Sequence, residues 1–117
     1  TESCKQNGEG YLLTKNDMIW FWDHYLENDE AGNAPYASPL LAKYINNPPP
    51  GLVMTAEFDP LRDEGEAYGK KLQDAGADIT ISRYAGTIHG FFGLFQFDTQ
   101  KKALAEAAEG LKAAFAQ

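Results

Sequence analysis

The sequence predicts an α/β fold organised around one parallel strand–helix–strand unit, and three observations carry that prediction. Residues 51–57, Gly51-Leu52-Val53-Met54-Thr55-Ala56-Glu57, form a short, nearly continuous apolar run bounded by breakers. That is the pattern of a strand covered on both faces. Leu61, Tyr68, Leu72 and Ala75 then fall at helical intervals, and Gly76 stands where a left-handed helix stop belongs. Residues 78–84 alternate and are rich in β-branched side chains, which predicts a second strand. Strand, helix and strand in that order imply parallel pairing through a right-handed crossover.

The flanking elements follow from similar signals. Thr14, with Asp17 three residues later, is a helix-start signature that serves otherwise unpaired N–H groups. The helix it predicts, residues 14–26, carries Met18, Trp22, Tyr25 and Leu26 at helical spacing, and Ile19, Trp20 and Phe21 widen the stripe. A helix apolar nearly all round is expected to be buried on several sides. Pro35, Pro39 and the run Pro48-Pro49-Pro50 make the next stretch an extended connector, because proline neither continues a helix nor donates to a sheet. The last element, residues 99–115, is a helix whose buried face is expected to hold Leu104, Ala107, Ala108, Leu111 and Phe115. Lys101, Lys102, Glu106, Glu109 and Lys112 are left to solvent, and Gly110 costs that helix up to ~1 kcal/mol. Two parallel strands with helices before and after them are too few for a complete sheet between helical layers. The 117 residues are therefore expected to belong to something larger.

Composition narrows the partners. Seventeen acidic residues against ten basic ones give a net charge of −7, which disfavours nucleic acid and anionic membrane surfaces, both of which need Lys and Arg. No apolar stretch approaches the ~20 residues a bilayer crossing requires. A lone cysteine, Cys4, forms no internal disulfide and has no base near it in sequence that would activate it. With no leader-like segment at its start, the chain is expected to be cytoplasmic; opening on Thr1 and not Met, it is read as processed, cut or truncated.

Chemistry gathers at the carboxyl ends of the two predicted strands, where open α/β sheets hold their ligands. Asp59 follows the first strand in Glu57-Phe58-Asp59-Pro60-Leu61-Arg62-Asp63-Glu64-Gly65, and His89 follows the second in Gly86-Thr87-Ile88-His89-Gly90-Phe91. Parallel strands place both loops on one edge. A carboxylate that accepts from one imidazole nitrogen leaves the other as a general base. The acid precedes the histidine, the chain order of α/β-hydrolase triads. Other readings stand beside this one: Asp59 as a helix cap before Pro60, His89 as a structural loop histidine, or the two as half of a metal site for which no third ligand has suitable spacing. His24 reads as structural or surface, and the charged run from Arg62 to Glu66 as a first helical turn suited to the helix dipole.

Taken together, the motifs from Glu57 to Gly65 and Ile88-His89-Gly90-Phe91 resemble the late part of the hormone-sensitive-lipase-like esterases, a branch of the α/β-hydrolases. Gly10-Tyr11-Leu12-Leu13-Thr14, the aromatic helix ending in His24-Tyr25, and Ser38-Pro39-Leu40-Leu41-Ala42 fit the same family in order, from about Gly8 to the final helix. The resemblance implies a partial α/β-hydrolase fold in which residues 1–117 are the C-terminal portion of the catalytic domain and the two strands are the last two of its sheet. It makes Asp59 the triad acid and His89 the triad base of a carboxylesterase. It places Leu61, Ile88 and Phe91 at the acyl pocket, with short-chain esters as substrates and no metal or organic cofactor.

The departures are as informative. No Gly-x-Ser-x-Gly elbow and no His-Gly-Gly-Gly-like oxyanion stretch occurs among these residues. Ser3 is expected in a loose end, Ser38 precedes a proline, and Ser82 lies inside a predicted strand, so none stands on a strand-to-helix turn. The 117 residues alone are expected to be inactive, with a complementing N-terminal portion supplying the nucleophile. The competing reading is a non-catalytic binding or assembly module, pairing through its sheet edge and its aromatic helix, with homo-oligomers among its forms.

Overall fold

Alternation along the two strands decides what packs where. The structure, a computed structural model, describes residues 1–116. Strand β1 (Gly51–Phe58) pairs in parallel with β2 (Ile79–Ile88), in register from Gly51 opposite Ile79 to Ala56 opposite Tyr84. Because successive side chains point to opposite faces, Val53, Thr55, Ile81 and Arg83 share one face, and Met54, Ala56, Ser82 and Tyr84 share the other.

Among the described residues, four α-helices accompany the pair: α1 (Glu2–Asn7), α2 (Lys15–Tyr25), α3 (Arg62–Asp74) and α4 (Asp98–Phe115). The crossover helix α3 lies on the Val53 face. Gly69 is buried there, and a Cβ at that position would sit 2.9 Å from Ile81 and 3.3 Å from Val53. The helix approaches so closely because glycine leaves the room. Gly76, at φ +91°, then turns the chain toward β2. On the opposite face Ala56, Phe91 and Ala103 form the core, with Met54 and Tyr84 packed against it.

Helix α4 departs from its expected orientation. Gln100 and Ala103 are its buried residues, and Glu106 accepts hydrogen bonds from the Ser82 and Tyr84 hydroxyls instead of facing water. Leu104, Leu111 and Phe115 are exposed. Two strands are too narrow to cover an 18-residue helix, and the small Ala103 allows the closest approach to the sheet. Burial and bonding to Glu106 push the Tyr84 hydroxyl up to about 12.

Helix α2 has the expected capping box: Thr14 accepts from the Asp17 N–H at 3.1 Å, and Asp17 accepts from the Thr14 N–H at 2.9 Å. Contrary to expectation, none of its residues is buried. The connector carries a short 3-10 turn at Pro39–Leu41, whose carbonyl at Leu40, with that of Ala42, accepts from Lys71 of α3. The radius of gyration is 15.5 Å, against about 13 Å for a compact domain of this length. That excess reflects helices reaching past a two-stranded sheet.

Candidate active site

Both strands end at the same edge, and the residues that follow them meet. His89 Nδ1 lies 2.9 Å from Asp59 Oδ2. The other carboxylate oxygen, Oδ1, accepts from the Leu61 N–H at 2.8 Å, starting the turn into α3. One oxygen thus faces the imidazole while the other closes the turn ahead of α3, whose N-cap is Leu61 with no side-chain capping bond. The Asp59 side chain is 13% exposed and that of His89 41%. The carboxylate is thus screened from water while the imidazole stays reachable.

The acid loop is tied down by residues whose part was not apparent in the sequence. Arg62 donates from Nη1 to the Glu57 carbonyl at 2.8 Å and from Nε to Asp63 Oδ1 at 3.0 Å. Asn7 of α1 donates to the Glu57 and Asp59 carbonyls at 3.5 and 3.4 Å. Ser3, expected in a loose end, is fully buried: its hydroxyl donates to the Pro60 carbonyl at 2.9 Å, and its N–H donates to Asp63 Oδ2 at 2.7 Å. That N–H, with Arg62, holds the Asp63 carboxyl below its usual range. The sequence signal for α1 was slight: a capping threonine and an acidic first turn over six residues. Tyr11 stacks on Phe58 with ring centres 5.2 Å apart, which places the Gly10-Tyr11 motif against the end of β1.

His89 is delivered by a kink. Gly86 and Gly90, at φ +71° and +77°, occupy the left-handed region that side chains rarely tolerate. Between them the Thr87 hydroxyl donates to the Tyr84 carbonyl at 2.7 Å. Of the three residues expected at an acyl pocket, Ile88 and Phe91 border a cleft of about 230 Å³ with Leu94 and Phe97, Phe91 also packing in the core, while Leu61 lies at the N-cap of α3, outside the lining of that cleft.

The serines have other partners: Ser3 at Pro60, Ser38 at the Gly32 carbonyl and Ser82 at Glu106. His24 stacks on Trp20 and bonds to its carbonyl at 2.8 Å, as a structural histidine would. Among the described residues, no three His, Cys, Asp or Glu side chains gather to hold a metal ion, and no helix is long and apolar enough to cross a membrane.

Comparison with known proteins adds to this geometry. Residues 1–93 match the family described as alpha/beta hydrolase fold. The chain is 47% identical over 98 residues to the carboxylic ester hydrolase LipN of Mycobacterium tuberculosis, covering 82% of this chain and 26% of that protein. It is 34% identical over 109 residues to the ethyl acetate hydrolase of Pseudomonas putida, covering 93% and 32%. Among solved structures, a thermostable esterase from Pseudomonas putida superposes with a TM-score of 0.86 at 47% identity, over 92% of this chain and 35% of that one. The hyperthermophilic esterase of Pyrobaculum calidifontis superposes with a TM-score of 0.92 at 37% identity, over 97% and 38%. The chain thus spans roughly a quarter to two-fifths of the proteins it matches.

Proposed function

This chain belongs to the α/β-hydrolase fold family, and on that basis we propose that it supplies the acid and base of a carboxylesterase whose serine comes from a complementing segment. The observation that carries the reading is the 2.9 Å contact between His89 Nδ1 and Asp59 Oδ2 at the shared edge of two parallel strands. With Nδ1–H donated to Asp59, His89 Nε2 keeps its lone pair. It takes the proton of the serine hydroxyl as oxygen attacks the ester carbonyl, and Asp59 stabilises the imidazolium that forms. The imidazolium then returns that proton to the departing alkoxide, and water hydrolyses the acyl-serine by the same exchange.

Residues 1–117 are, on this reading, a C-terminal portion of the catalytic domain, with short-chain esters as substrates. The polypeptide of these residues alone is inactive, because removing a triad serine costs about a millionfold in turnover and no oxyanion donors of the family's kind are present to sustain a remainder. The exposed aromatic face of α2 favours a second reading, a non-catalytic assembly module.

A chimera separates the two. In it, these residues replace the matching portion of the thermostable Pseudomonas putida esterase. The esterase reading expects hydrolysis of short-chain esters by the chimera, none by the isolated chain, and loss of turnover by about a millionfold in His89→Ala. A folded chimera whose turnover survives His89→Ala would overturn it.

A further inference from the structure

We propose that Glu57 is a positioning residue for His89: its carboxylate holds the bulge that delivers the imidazole, while its carbonyl is gripped by the loop that carries Asp59. The inference rests on the reading of Asp59 and His89 as acid and base.

Strand register gives the first observation. Ala56 faces Tyr84 and Phe58 faces Ile88, so Ala85, Gly86 and Thr87 all stand against Glu57 alone. Residues in excess on one strand lose their ladder partners. The Gly86 N–H recovers one by donating to Glu57 Oε2 at 2.7 Å, and Gly86 itself sits at φ +71°. The second observation lies on the same residue's main chain. The Glu57 carbonyl accepts from Arg62 Nη1 at 2.8 Å and from Asn7 Nδ2 at 3.5 Å, within the network that fixes the loop bearing Asp59.

One residue therefore couples the two loops whose relative placement decides the Asp59–His89 contact. A carboxylate receiving a backbone N–H makes one of the stronger kinds of hydrogen bond. Without it the Gly86 N–H turns to water, the extra residues relax, and His89, three residues on, loses its setting. A glutamate that merely ended an exposed strand would have no call on that N–H.

The test reads two signals on the full 117-residue chain: hydrogen exchange at the Gly86 amide, and the His89 tautomer from imidazole ¹⁵N shifts at a pH where the ring is neutral. In Glu57→Ala, Gly86 exchange is expected to quicken by about ten- to a hundredfold relative to the other β2 amides, and the Nδ1–H tautomer should give way to a mixture. Glu57→Met keeps the side-chain length and its packing without the acceptor, so it should behave as Glu57→Ala does. Glu57→Gln retains an accepting oxygen and should restore the tautomer.

Unchanged Gly86 exchange in Glu57→Met overturns the proposal. So does faster exchange with the tautomer unmoved, or an equal acceleration across all amides of both strands. A wild-type His89 without the Nδ1–H tautomer would instead count against the acid–base reading, while Gly86 exchange would still report the Glu57 tie separately.

Discussion

Helices α2 and α3 show how little composition decides burial by itself. Helix α2 carries Ile19, Trp20, Phe21, Trp22 and Tyr25, yet none of its residues is buried. Helix α3 is mostly charged and polar, yet it is seated against both strands through Gly69 and anchored by Arg62, Asp63 and Glu66. What differs is the surface offered to each. The two strands present a complementary face to α3, while nothing among the described residues presents one to α2. The candidate site stands on the anchored side, where hydrogen bonds from α1 and α3 hold the loop bearing Asp59 and the Gly86 N–H of the bulge reaches Glu57.

Two phenylalanines give the sharpest way to break that contrast. Phe91→Ala removes a core ring packed against Ala56 and Ala103 and is expected to destabilise the chain by about 3–5 kcal/mol. Phe21→Ala removes the same ring from a site that is 56% exposed and should change stability by no more than about 0.5 kcal/mol. Urea midpoints of the two variants measure the difference; comparable losses would mean that α2 is as well packed as the core.

A smaller effect tests the seat of α3. Gly69→Ala gains helix propensity worth up to about 1 kcal/mol, but its Cβ would press on Ile81 and Val53. Overpacking costs about 1–3 kcal/mol. The net expectation is a loss of about 1–2 kcal/mol in chemical denaturation, whereas Gly110→Ala, with nothing within 4 Å of its Cβ, should gain up to about 1 kcal/mol.

The gentlest probe is acid. The Glu66 carboxyl lies below its usual range, first through the hydrogen bond from Arg83 and also through that from Thr55. Its folded-state value is thus lower than its unfolded one. The stabilisation it adds is fully present above the ordinary glutamate value of about 4.3 and is lost as pH falls through the lower folded value. Urea midpoints should drop with acidification in that window, and less steeply in Glu66→Gln.

Much of this was legible in the sequence, for definite reasons. The βαβ unit announced itself because a covered strand, a capped helix and an alternating strand each leave a periodic mark. The strand-end rule then put Asp59 and His89 on one edge. Three features left no such mark. Helix α1 is too short for periodicity, so Ser3 and Asn7 were not expected beneath the acid loop. The bulge against Glu57 extends β2 to Ile88, and a two-residue excess in register is not written in hydrophobicity. The inward face of α4 is set by Gln100, Ala103 and Glu106, where closeness to the sheet and bonds to Ser82 and Tyr84 outweigh the apolar stripe of Leu104, Leu111 and Phe115.

The central claim, that Asp59 makes His89 a base, is tested most directly by the turnover of Asp59→Asn in the esterase chimera. The variant keeps the shape of the acid and reverses the hydrogen bond it offers to Nδ1, so the wrong tautomer should form. The account predicts a fall in kcat of about ten-thousandfold with KM little changed. A folded Asp59→Asn chimera that keeps its kcat would contradict it.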